Sequence, residues 1–140
     1  MSIACIFETD RLSIVQEIGP GGWSQDRPAA AMFYNSDSLS YRTLSVLIRF
    51  RNDFSYDRLD VAVETRTPDQ TVWRDTISVS LRPEFGGIET SSLTYTDVKT
   101  PYRTRVVLER SGKYSFRFTP VMPQASLEGV TGVGIEISNE

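Results

Sequence analysis

The stretch Leu44-Ser45-Val46-Leu47-Ile48-Arg49-Phe50-Arg51 sets Leu44, Val46, Ile48 and Phe50 against Ser45, Arg49 and Arg51 in alternation. A repeat of two residues sends successive side chains to opposite faces of a pleated strand, so one face packs and the other meets water. The same period recurs on both sides of this segment. Leu59, Val61 and Val63 alternate with Asp60, Ala62 and Glu64, and Ile77, Val79 and Leu81 with Ser78, Ser80 and Arg82. Tyr114, Phe116 and Phe118 alternate with Ser115, Arg117 and Thr119. Val106 with Leu108, Val133 with Ile135 and Ile137, and Leu12 with Ile14, Gln16 and Ile18 complete the set, with a shorter stripe at Ala30, Met32 and Tyr34.

Turn chemistry separates these runs. Gly19-Pro20-Gly21-Gly22, Asn52-Asp53, Thr67-Pro68-Asp69-Gln70, Ser111-Gly112 and Glu128-Gly129 each mark a reversal, and Pro83 to Gly87 a longer loop. No stretch sustains helical periodicity, and a short turn near Pro123–Leu127 is the one helical candidate. Short strands with one wet face must bury the other against a second sheet. The expectation is therefore an all-β domain, a two-sheet antiparallel β-sandwich of jelly-roll or immunoglobulin-like type, over residues 11–140. Residues 1–10 read as an N-terminal leader.

Composition narrows the function classes. The chain has 140 residues with a formal net charge of −3, which gives no electrostatic support to nucleic-acid binding. Histidine is absent, which removes the commonest general base and the commonest zinc ligand. One cysteine, Cys5, rules out an intrachain disulfide. The sequence thus points to a non-enzymatic protein with no cofactor and no metal. Of the fifteen basic residues thirteen are Arg, which suits cross-strand ion pairs and stacking on aromatic rings.

The densest polar cluster runs from Arg49 to Arg58. Arg51, Asn52, Asp53 and Tyr56 in it are candidate contact residues, and so are Trp23, Tyr41 and Trp73 elsewhere. Exposed aromatics would serve as anchors for a partner or as platforms for sugar rings. Asp53 and Asp57 would form an acid/base pair only if they shared a cleft. The bland alternative is a loop whose Asn52 and Asp53 bond their own backbone.

Ile3-Ala4-Cys5 reads as the last positions of a bacterial lipobox with its upstream apolar run cut off, or else as the surroundings of an ordinary free cysteine. The order of features along the rest of the chain bears on that choice. Gly22-Trp23 with Asp26 and Pro28, Tyr41 before Leu44–Ile48, Arg51-Asn52 with Tyr56 and Leu59, Pro68-Asp69 and Asp75-Thr76-Ile77 come first. Tyr95, Pro101-Tyr102, Ser111-Gly112-Lys113-Tyr114 with Phe116, Met122, Leu127–Gly129 and Val133-Gly134 follow. In this order the chain resembles the GldH-type gliding-motility lipoproteins. It departs from them at Arg82–Ser92, which lacks the family's Gly-rich run containing Trp, and at Pro123, where an Arg often stands.

The resemblance implies a lipid anchor on Cys5, a place at the outer membrane and a part in gliding or an associated secretion machinery. Its partners would be other envelope proteins, with no nucleic acid among them. A carbohydrate-binding module using Trp23, Trp73 or Tyr56 is the alternative expectation.

Overall fold

The structure, a computed structural model, describes residues 3–8, 11–83, 87–121 and 126–139, and side chains from residue 11 onward. Strands run in the order β1 (Ile3–Glu8), β2 (Arg11–Glu17), β3 (Ala29–Asn35), β4 (Tyr41–Arg51) and β5 (Arg58–Arg66). They continue with β6 (Val72–Ser80), β7 (Ile88–Ser91), β8 (Tyr95–Val107), β9 (Gly112–Pro120) and β10 (Val130–Asn139). Every pairing is antiparallel, giving a six-stranded sheet β1-β2-β10-β4-β8-β7 and a four-stranded sheet β3-β9-β5-β6. This is the expected β-sandwich.

The alternation explains the packing. Leu44, Val46, Ile48 and Phe50 on β4 and Val133, Ile135 and Ile137 on β10 turn inward from the larger sheet. Leu59, Val61 and Val63 on β5 and Tyr114, Phe116 and Phe118 on β9 turn inward from the smaller one, and all belong to one buried cluster. Register locks the phase: Val133 sits opposite Ile48, Ile135 opposite Val46 and Ile137 opposite Leu44. A slip of one residue would turn this whole set outward.

Four local expectations change. The stripe Ala30, Met32 and Tyr34 is the outer face of β3, and the inner positions are Ala29, Ala31 and Asn35. Ala29 and Ala31 face Phe118 and Phe116 across the ladder, where small side chains leave room for the rings. Asn35 turns inward because its amide donates to the carbonyls of Leu108 and Arg110, both at 2.9 Å. Second, the strand marked by Val106 and Leu108 begins eleven residues earlier, at Tyr95. Its pairing with β4 shifts register on both sides of Leu44, and Pro101 lies where β7 no longer covers the strand. Bulges and an uncovered edge are where a sheet tolerates proline. Third, Ile88–Ser91, between the expected loop at Pro83 to Gly87 and Tyr95, forms the short strand β7. Fourth, the leader is not separate from the sandwich. Ile3–Glu8 adds a strand to β2, with Cys5 opposite Ile14. The helical turn expected near Pro123–Leu127 and Met122 fall mainly outside the described residues.

Candidate functional site

The residues nominated by the sequence do not converge. Trp23 is completely buried, bridges to Leu127 and donates its indole N–H to the Phe118 carbonyl at 3.0 Å. It closes the core and presents no surface to a ligand. Trp73 is half-buried on the inward side of β6, beneath the Arg103 guanidinium at 4.7 Å. That guanidinium also makes a two-pronged pair with Asp75, at 3.0 and 3.2 Å, tying β8 to β6 across the open side of the sandwich. Tyr41 is half-exposed at the start of β4 with Arg105 stacked on its ring at 4.5 Å. Arg51 ends the same strand, about 33 Å away at the usual strand rise.

The loop after β4 satisfies itself. Asn52 donates to the Ser92 carbonyl at 2.7 Å and accepts from the Thr96 hydroxyl at 2.8 Å, which latches the loop to the β7–β8 turn. Arg82 donates to the carbonyls of Phe54 and Tyr56, both at 2.7 Å, and reaches Asp57 at 3.1 Å. Asp53 pairs with Arg51 at 3.4 Å. The Asp53 and Asp57 side chains are 80% and 84% exposed, so they stand in solvent with separate arginines and share no cleft. Phe54 packs between Phe50 and Tyr56, with ring centroids 6.2 and 5.2 Å away. A smaller cavity of about 290 Å³ lies beside this loop, between Asn52, Leu81, Arg82 and Ile88.

A larger concavity lies elsewhere, over the outer face of the six-stranded sheet, with a volume of about 350 Å³. Val15 on β2, Leu47 on β4 and Gly132 on β10 line it; Gly134 sits opposite both Val15 and Leu47, and Gly132 opposite Glu17 and Arg49. Glycine at 132 leaves that part of the central strand bare. Two residues on, a Cβ on Gly134 would fall 2.0 Å from the Ile14 carbonyl oxygen, so β2 approaches β10 there in a way only glycine permits.

Charged side chains ring the concavity. Glu136 is 4% exposed, yet it receives Arg11 at 3.4 Å and Lys99 at 3.1 Å, and Lys99 also holds Glu89 at 3.0 Å. Burial alone would depress the Lys99 ammonium, but its bonds to Glu89 and Glu136 outweigh this and raise it above its ordinary value. Arg49 forms a two-pronged pair with Asp97 at 2.7 and 3.0 Å and covers the Tyr95 ring at 4.2 Å. Arg49 thereby occupies one face of Tyr95. Glu17 at the rim has no salt bridge among the described residues. The arrangement suits binding: fixed charges around a small aliphatic floor.

None of these groove residues was singled out as a site by its sequence. One signal was present, the pair Gly132 and Gly134 inside a strand pattern, since glycine in a strand marks close backbone approach or a bare face. The carboxylates gave no warning, because Glu17, the neighbours Glu89 and Asp97, and Glu136 lie in three distant parts of the chain and meet only through the strand order.

Among curated proteins none matches the chain. In solved structures the fold is similar to a carbohydrate-binding module specific for non-crystalline cellulose, with a TM-score of 0.50 at 10% identity, covering 99% of this chain and 79% of that one. That likeness is one of architecture. The family comparison reaches further, since the sequence profile described as GldH lipoprotein matches residues 12–137, from β2 to the end of the core of β10. The chain belongs to the GldH lipoprotein family.

Proposed function

We infer that the protein is a non-catalytic, lipid-anchored component of the cell envelope, serving gliding motility or an associated secretion machinery through contacts with other envelope proteins. The family match over residues 12–137 carries this reading. The lack of histidine and the separation of Asp53 from Asp57 agree with it. Cys5 is the lipid attachment site in this reading. Its strand β1 forms one edge of the six-stranded sheet, so a lipid there would hold the sandwich by an edge and leave the outer concavity open. Firm attachment requires more than one acyl chain, which a bacterial lipoprotein carries.

The test is metabolic labelling with palmitate in the native cell, using the gene with its natural leader. The expected result is a labelled protein in the outer-membrane fraction, with label lost in Cys5→Ala. An unlabelled protein beside a labelled control lipoprotein would overturn the anchor. Affinity purification from native membranes tests the contacts, and recovery of no envelope protein would count against them.

The fold likeness to a cellulose-specific module supports a second reading, a carbohydrate-binding protein. The aromatics it relied on form no common platform: Trp23 is buried, Trp73 faces inward and Tyr56 packs on Phe54. A glycan array with hits abolished by substitutions in the groove would favour it over protein contacts.

A further inference from the structure

We propose that the concavity over β10 is a docking site for an extended segment of a partner protein bearing lysine or arginine. In this arrangement one such side chain lays its methylenes on Val15, Leu47 and Gly132 and brings its charge to Glu17. The inference rests on the protein-contact reading above and names its surface.

Three observations carry it. The first is size: about 350 Å³ is near the lower end of ligand pockets, roughly 300–1,000 Å³, and so takes one or two side chains. The second is the floor. Val15 and Leu47 flank Gly134, with Gly132 two residues along the same strand, an aliphatic trough. Long basic side chains bury aliphatic stems on such surfaces while keeping the charged tip at a polar rim.

The third is charge. Among the described residues, Glu17, Glu89, Asp97 and Glu136 stand against Arg11 and Arg49 in the lining and Lys99 behind it, four carboxylates to three cations. The cations are held by Glu136, Glu89 and Asp97, which leaves Glu17 as the acid without a salt bridge among the described residues. An incoming cation completes this set, whereas an incoming anion meets the surplus acid. Complementarity of this kind sets specificity and orientation.

The experiment uses the ¹⁵N-labelled chain of residues 1–140 and two synthetic pentapeptides, acetyl-Lys-Val-Lys-Val-Lys-amide and its Glu-for-Lys counterpart, with cellohexaose as a third probe. The expected result is saturable movement of the Gly132, Thr131 and Val15 amide signals with the lysine peptide alone. Glu17→Gln, an exposed change that leaves the fold intact, should weaken that binding by about threefold or more. Gly132→Ala should weaken it further by filling the floor, since its Cβ meets Val15 Cγ1 at 3.2 Å and Arg49 Cβ at 3.4 Å. Should that variant not fold, Leu47→Arg places a cation in the trough and should abolish binding.

No movement at Gly132, equal movement with the glutamate peptide, movement with cellohexaose alone, or undiminished binding in Glu17→Gln would each overturn the proposal. The two readings fail separately. A silent Gly132 in a protein that takes up palmitate and recovers envelope partners removes the docking site alone. A responsive Gly132 in a protein without label or partners removes the envelope reading alone.

Discussion

The loop from Asn52 to Asp57 and the concavity over β10 are built from similar side chains, carboxylates beside arginines, and they use them differently. In the loop each polar group is consumed locally. Asn52 latches the β7–β8 turn, Arg82 gathers the carbonyls of Phe54 and Tyr56, and Asp53 and Asp57 stand in water. In the concavity the charged groups come from five strands and are held around a cavity rather than folded onto their own backbone. Density of polar residues along the sequence therefore marked a structural loop. Convergence of distant residues made the concavity.

The largest expected effect sharpens this contrast at its structural end. Trp23→Ala removes a fully buried indole and orphans the Phe118 carbonyl, and should cost about 3–5 kcal/mol of stability in chemical denaturation. A loss of partner binding with unchanged stability would instead return Trp23 to the surface. Next comes Glu136→Gln, which leaves Arg11 and Lys99 facing a neutral amide at a nearly buried position. A cost of about 2 kcal/mol is expected, below that of a fully buried pair because both cations are partly exposed.

Asn52→Ala deletes two side-chain hydrogen bonds at an exposed site and should cost about 1 kcal/mol. Asp53→Asn should change stability by less than about 0.5 kcal/mol, as exposed ion pairs do. A larger effect at Asp53 than at Glu136 would break the contrast.

A turn far from both regions provides a pH control. The Ser40 hydroxyl, helped by the Leu39 and Ser40 amides, lowers the Asp37 carboxyl from 3.8 to about 2. A carboxyl lowered on folding adds stability above its unfolded value and loses it as pH falls through the folded one. The stability gap between wild type and Asp37→Asn should thus hold above about pH 4 and close towards pH 2. A gap that is unchanged down to pH 2 would show that the carboxylate charge contributes nothing.

The pattern of the sequence made most of the sandwich legible. Residues 44–51 announce a strand with one buried face, and residues 114–118 and 133–137 do the same. Legibility failed where register or neighbours override pattern. β8 hides its first eleven residues behind Pro101, polar side chains and two register shifts. β3 carries its larger side chains outward because Phe116 and Phe118 across the ladder need alanine opposite them. The site was less legible still. Trp23, Tyr41, Arg51, Asn52, Asp53, Tyr56 and Trp73 were conspicuous by type, yet the structure scatters them between the core, the inner face and both ends of β4. Glu17 and Glu136 are 119 positions apart and ordinary by type, and only the antiparallel pairing of β2 with β10 brings them to one rim.

The most direct test places a photocrosslinking side chain at Leu47 in the groove, or at Asp53 in the loop, of the lipidated protein in native membranes. The account predicts a discrete adduct with an envelope protein from position 47, lost when Glu17→Gln is added, and none from position 53. An adduct from position 53 with none from position 47 would contradict it.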